Sequence, residues 1–224
     1  MPYRRTEAMG RRLAAKRDGI LAAAEAAGAE GGMAAVQIAP VAQRAGIAAG
    51  TVYRYFPAKS DLVAALIAAV GEREVAAMRA AAAGSPGPLS ALAATVGHYA
   101  SGLAARRRLA WAIIGEPAEP DIEEARRTYR ATVLAELTAR ISAAIEAGRL
   151  PAQDARLAGS ALLGGMIEGV VGPLAPEIDH ASGGWETIQN LTLFILRGLG
   201  VADAQARGLV VQMAPRPGEP SADR

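Results

Sequence analysis

Five side chains fall close together at Thr51, Tyr53, Arg54, Tyr55 and Lys59. A hydroxyl, two phenols, a guanidinium and an ammonium suit phosphate oxygens and the edges of bases. Catalysis has less to work with. The chain has two histidines, His98 and His180, far apart and in different contexts, and no cysteine. No paired-histidine metal helix and no nucleophile elbow occurs. The acidic cluster Glu116, Glu119, Asp121, Glu123 and Glu124 reads as a solvated loop and a helix start. An enzyme is not expected, and neither a cofactor nor a metal is called for.

The basic and aromatic run needs a rigid support, and the surrounding residues describe one. Ile38, Val41, Ala42 and Ala45 recur at three- and four-residue intervals, as on one face of a short helix. Gly46 then marks a turn, and a second helix runs from about Ala48 to Phe56, where Pro57 stops it. Two short helices joined in this way form a helix-turn-helix, whose second helix can enter the DNA major groove. Val52 and Phe56 face inward, with Ile47 just before them. Thr51, Arg54 and Tyr55 are expected outward, with Tyr53 at the side.

Val41-Ala42-Gln43-Arg44-Ala45-Gly46-Ile47, then Gly50-Thr51-Val52-Tyr53-Arg54-Tyr55-Phe56, then Lys59 and Leu62, resemble the DNA-binding signature of TetR-type transcriptional regulators. The resemblance covers roughly residues 12 to 68. It implies a DNA-binding surface made of Gln37, Arg44, Ala48, Ala49, Gly50, Thr51, Tyr53, Arg54, Tyr55 and Lys59. In the family, the positions of Tyr53 and Lys59 contact phosphates, and those of Ala48, Ala49 and Gly50 often read base edges. None of those three has a side-chain donor, so Arg54 and Thr51 become the base readers, with the small residues serving close approach or thymine-methyl contact. Gln37 stands near the amino cap, where the family often has Ser or Thr.

Charge and composition fit this assignment. Residues 1–60 hold nine Lys/Arg against four Asp/Glu, a balance of +5, and the remainder fifteen against eighteen, a balance of −3. A basic amino-terminal module on a mildly acidic body is expected where only the first part meets a polyanion. Apolar residues make up 51% of the chain and aromatics only 4%, with alanine dominant, which implies helices packed on helices. The absence of cysteine excludes a disulfide scaffold and fits a cytoplasmic protein. The amino terminus lacks the apolar run of a signal peptide. The uncharged stretch Ala80–Ala105 is broken by Gly84, Pro86, Gly87 and Pro88, so it reads as a loop and a buried helix rather than a membrane span.

The fold class expected is therefore all-α, a three-helix head followed by a larger helical body. Residues 1–10 read as a flexible basic arm, and Arg4, Arg5, Arg11 and Arg12 either reach phosphates or the minor groove or are simply solvated. Residues 11–60 form the head and 61–213 the effector-binding and dimerisation body, with a disordered tail at 214–224. Helices are expected over Met9–Ala27, Ile38–Ala45, Ala48–Phe56, Ser60–Ala83, Pro88–Ala105, Arg107–Ile114, Asp121–Gly148, Ala152–Leu174 and Gly184–Gly200. Arg106-Arg107-Arg108 reads as a solvated helix junction.

Glycines at 159, 164, 165, 169 and 172 pepper one body helix, and each costs roughly 1 kcal/mol relative to alanine. Close approach of another helix would offset that, either inside one subunit or across a dimer. The family dimerises through its last two helices, so the resemblance favours a homodimer interface at Ser160, Gly164, Gly165, Gly169, Trp185 and Leu193. It also implies an effector pocket in the body. His98, Tyr99, Leu103, Trp111, Ile114, Tyr129, Arg130, Leu134, Leu162, Met166 and Glu168 are its candidate lining, although any one of them could simply fill the core. The combined expectation is a ligand-responsive regulator, a repressor, binding a palindromic double-stranded DNA operator as a homodimer. A small apolar or amphipathic effector would release it. The alternative is a DNA-binding regulator without a ligand.

Overall fold

The computed structural model describes residues 3–177 and 184–213, and every described element is helical. The helices are α1 Tyr3–Gly31, α2 Ile38–Arg44, α3 Ala49–Tyr55, α4 Lys59–Ala83, α5 Pro88–Ala105, α6 Arg107–Ile114, α7 Pro120–Glu146, α8 Ala155–Val170, α9 Trp185–Gly198 and α10 Asp203–Val211, with one 3-10 turn at Met33–Ala35. The all-α class is thus observed. His180 and the tail expected at 214–224 lie outside the described residues.

Two departures have simple causes. α1 begins at Tyr3, so most of the stretch expected to be a free arm is helical. No proline and no glycine pair interrupts it, and Arg, Glu, Ala and Met are all good helix formers. α10 was not expected as an element, because only Ala206 and Val210 of its nine residues are buried, too few to write an apolar stripe. α8 is shorter than expected because Asp154 caps it, its carboxylate accepting from the N–H groups of Arg156 at 2.9 Å and Leu157 at 3.0 Å.

The chain divides into two compact units, 1–70 with 108–127, and 71–107 with 128–224. The first contains the head, the first half of α4, α6 and the start of α7, and so takes in more chain than the 11–60 stretch. Its interior holds Ile20, Leu21, Ala24, Val41, Val52, Phe56, Leu62 and Leu66, all buried. Arg126 is buried in the same unit. It donates to the Ala112 carbonyl at 2.7 Å, to the Glu116 carbonyl, and to the Glu123 carboxylate at 2.6 Å. The bond to Ala112 satisfies one of the carbonyls that the end of α6 would otherwise leave orphaned.

In the second unit α5 packs against α8, α9 and α10. α5 is apolar almost all round, as suits a central helix. Leu92, Ala93, Val96, Tyr99, Ala100 and Leu103 are all buried. Two buried carboxylates are matched by arginines. Glu74 is held by Arg106, and Glu136 accepts from Arg79 Nε and Arg140 Nε, each at 2.8 Å. Burial alone would raise Glu136, but the two guanidiniums outweigh it and hold its carboxyl below the usual carboxylate range. The arginine triplet is more structured than a solvated junction. Arg107 donates to the carbonyls of Ala175 at 3.3 Å and Pro176 at 3.2 Å, while Arg108 is exposed.

Candidate nucleic-acid interface

α2 and α3 are positioned by the turn between them. Gly46 takes φ +66°, a left-handed conformation that glycine adopts without steric cost, and Ile47 N–H closes the turn on the Ala42 carbonyl at 3.0 Å. α3 then starts at Ala49, with Thr51 N–H bonded to the Ala48 carbonyl at 2.8 Å. Val52 and Phe56 anchor its inner face, each worth about 1.5–3 kcal/mol when buried. The Arg17 guanidinium of α1 sits 5.6 Å from the centre of the Phe56 ring, which adds a cation–π contact to that anchor. Asp61 Oδ2 accepts from Ala58 N–H at 2.8 Å and caps the start of α4 beside Lys59.

With Val52 and Phe56 inside, the phase of α3 is fixed. Gly50, Tyr53 and Arg54 are exposed, Tyr53 to 52%, whereas Thr51 and Tyr55 are half-buried. The outward face is therefore rotated from the one expected: Tyr53 belongs on it and Tyr55 lies at its edge. Ala48 is exposed, and Ala49 and Lys59 are half-buried. Gln37 occupies the amino cap of α2 without a capping bond, its amide donating instead to the Ala34 carbonyl at 3.1 Å. Arg44 is exposed but engaged within the chain, pairing both guanidinium nitrogens with the Glu30 carboxylate, one at 2.8 Å. That pair ties α2 to α1.

The residues proposed to line a ligand pocket are distributed between the two units. Trp111 and Ile114 belong to the first, and Trp111 covers Gly115, where a Cβ would lie 2.3 Å from the indole. In the second, Tyr99 and Tyr129 are buried with their hydroxyls 3.2 Å apart. Leu103 and Met166 are buried, and Leu134 and Leu162 half-buried. Arg130 and Glu168 are exposed, with the Glu168 carboxylate lying over Gly172.

α8 presents an open face. Leu157, Ser160, Ala161, Gly164, Gly165 and Glu168 are all exposed, at spacings that place them on one side of the helix, while Gly159, Leu163, Met166 and Val170 are buried on the other. A Cβ at Gly164 or Gly165 would meet nothing within 4 Å, whereas one at Gly159 would lie 3.1 Å from Thr138 Oγ1. The glycines therefore divide, Gly159 serving packing against α7 within the chain. Gly169 is half-buried, and a Cβ there would lie 3.9 Å from Leu191 Cδ1. On α9, Trp185 is buried and Leu193 half-buried, but Phe194 is 72% exposed, in line with Glu186, Asn190 and Arg197. Phe194 and Leu157 were not picked out from the sequence. The signal for both was phase: each stands opposite the buried residues of its own helix.

An exposed second helix of a helix-turn-helix, borne on an all-helical chain, defines a DNA-binding regulator fold. Residues 20–66 match the model of the bacterial regulatory proteins of the tetR family. It is 47% identical over 58 residues to the HTH-type transcriptional repressor KstR of Rhodococcus jostii, covering 26% of this chain and 27% of that protein. It is 44% identical over 70 residues to the repressor of the same name in Mycolicibacterium smegmatis, covering 31% of this chain and 34% of that one. The chain thus matches about a third or less of either curated relative. Similarity in fold extends further: the solved structure of RolR in complex with resorcinol superposes with a TM-score of 0.66 at 21% identity, covering 92% of this chain and 98% of that one.

Proposed function

We propose that the protein is a transcriptional repressor that binds a palindromic operator as a homodimer and is released by a small apolar or amphipathic effector. The observation that carries the DNA-binding part is the outward face of α3. Gly50, Tyr53 and Arg54 stand exposed with Lys59 beside them, inside the segment that matches the family and the KstR repressors. Arg54 is the base reader and Tyr53 and Lys59 the phosphate contacts, with Thr51 and Tyr55 at the margin and the small residues Ala48, Ala49 and Gly50 permitting close approach. Gln37 and Arg44 flank this surface from α2. Arg44 exchanges its Glu30 partner for phosphate if it takes part.

Homodimerisation is supported by the open face of α8 together with exposed Phe194 on α9. An aromatic anchor beside small residues suits close packing of a second copy. Effector response rests on the likeness in fold to a protein solved with resorcinol, and on the cavity described below. Selection of binding sites from a random duplex pool tests the reading. Enriched sequences should show dyad symmetry with half-sites about one helical turn, or a multiple of it, apart. Enrichment of asymmetric sites, or no enrichment, would count against it.

A further inference from the structure

We propose that the second unit carries a small-molecule site in the cleft between the last turns of α4, one face of α5 and the end of α10. Its ligand is an uncharged, mostly apolar molecule with a single hydroxyl or carbonyl group. This deepens the regulatory reading above, on which it rests, by naming where a ligand sits and what it is made of.

The cavity has a volume of about 590 Å³, within the range of small-molecule sites. Its walls are apolar at Ala77 and Ala81 of α4, Leu209 of α10 and Met213 just after it. α5 supplies the floor through Ser90, Ala94, His98 and Ser101, whose spacing of four, four and three keeps them on one helix face. None of the described lining residues carries a formal charge, so an ionic ligand would lose hydration without a counter-charge.

Ser101 is the feature that calls for a ligand. It is 1% exposed, and its Oγ has no hydrogen-bond partner among the described residues. The other hydroxyls nearby do not share that condition. Thr95 donates back to the Ala91 carbonyl at 2.8 Å, Ser85 to Ala81 at 3.2 Å, and Ser90 bonds both backbone groups of Gly87. A buried hydroxyl without a partner is unfavourable, and an oxygen or O–H brought in by a ligand would relieve it. A single rotation about χ1 carries Oγ between its staggered positions, so the group can adapt to donor or acceptor. The site differs from the lining expected from the sequence, of which only His98 takes part. α4 contributes its second half to this cavity's unit and its first half to the unit that holds α3.

The probe is a ten-carbon primary alkanol bearing a chain diazirine, photolysed with the full-length protein, with labelled peptides identified by mass spectrometry. Saturable labelling is expected within 77–101 and 209–213. Competition by 1-decanol should exceed that by decanoate by about tenfold, because the lining holds no Lys or Arg to meet the carboxylate. Ser101→Ala should weaken 1-decanol competition by about fivefold, the effect of one hydrogen bond. Ala94→Trp, folded by circular dichroism, should abolish saturable labelling; if it does not fold, the Ser101→Ala competition decides. Saturable labelling confined to 128–170, no saturable labelling, or Ala94→Trp labelled like wild type would overturn the site. Operator affinity of the same preparation without alcohol tests DNA binding separately, so a failure of that reading is distinguishable from a failure of this one.

Discussion

Glu116 Oε2 accepts the backbone N–H of Met33 at 2.9 Å, joining the loop after α6 to the turn after α1. Next to it, Gly32 takes φ +71°, and a Cβ there would lie 2.6 Å from Glu116 Oε1. The loop therefore sits on a backbone amide made reachable by a glycine in a left-handed conformation. Glu116→Ala should lower stability by about 1–2 kcal/mol, and Glu116→Gln by less, since the amide oxygen still accepts. Gly32→Ala should exceed both, because it adds backbone strain to a steric clash. Urea midpoints of the three variants check the ranking; a Glu116→Ala midpoint equal to wild type would mean the bond holds nothing.

Arg54 and Lys59 differ in what they are placed to touch, and their variants should separate. Lys59→Ala and Tyr53→Phe are expected to weaken binding to all duplexes alike. Arg54→Ala should relax base preference and cost about 1–3 kcal/mol of discrimination at one position. Lys59→Ala should also shallow the salt dependence by about one phosphate contact. Binding curves on the selected operator and on a scrambled duplex make the comparison. An unchanged site preference for Arg54→Ala would remove it as the reader.

The head was legible because its punctuation is local. Gly46 and Pro57 bracket α3, and the apolar interval from Ile38 to Ala45 writes α2 directly. The phase of α3 was less so. With Val52 and Phe56 inward, as expected, Tyr53 and Tyr55 stand on opposite flanks of the helix, and the flank that is covered depends on neighbouring parts of the chain that the local pattern does not write. The long-range links escaped altogether. Glu116 read as one acid in a solvated cluster, and its partner is a backbone amide, which carries no mark in sequence. α10 has too few buried residues to stand out, yet Leu209 helps to line the proposed ligand site.

Gly164 and Gly165 allow folding and association to be told apart. Open space surrounds both positions in the chain, so a larger side chain has room. Gly165→Leu should fold as well as wild type, or better by the roughly 1 kcal/mol that glycine costs a helix, yet weaken the dimer. Gly159→Leu, facing Thr138 and Leu134, should destabilise the fold itself. Sedimentation velocity with thermal melts gives both readings. An intact Gly165→Leu dimer would move the interface off this face of α8.

Glu136 should make the second unit acid-sensitive. Its folded carboxyl titrates below the ordinary value of 4.5, so its contribution is present above that pH and is lost as pH falls through the lowered value. Glu136→Gln removes the ion pairs and should cost about 1–3 kcal/mol at neutral pH. It should also flatten the decline of stability below 4.5, since no carboxylate remains to be protonated. Melting temperatures from neutral to acid pH decide it; parallel curves for the two proteins would assign the acid response elsewhere.

Tyr99 and Tyr129 predict the opposite limb. Burial lifts both phenols, Tyr129 to about 12 and Tyr99 well above the ordinary 10.0, with the Tyr99 hydrogen bond working against the rise at Tyr129. Gly71 of α4 admits the Tyr129 ring, since a Cβ there would lie 2.6 Å from Cδ2. The neutral forms are the ones the fold holds. The contribution of Tyr129 is complete below the unfolded value near 10.0 and is lost as pH rises through its folded value of about 12, and that of Tyr99 is likewise lost as pH rises through its own raised value. Tyr129→Phe leaves the buried Tyr99 hydroxyl without this partner and should cost about 1–3 kcal/mol. Replacing both by Phe removes donor and acceptor together, so the double variant should recover part of that loss, a coupling that a double-mutant cycle measures. Phenolate absorbance during an alkaline titration should show two groups ionising only as the fold opens. Two phenols titrating near 10.0 in the folded protein, or strictly additive single variants, would dissolve the pair into unrelated core residues.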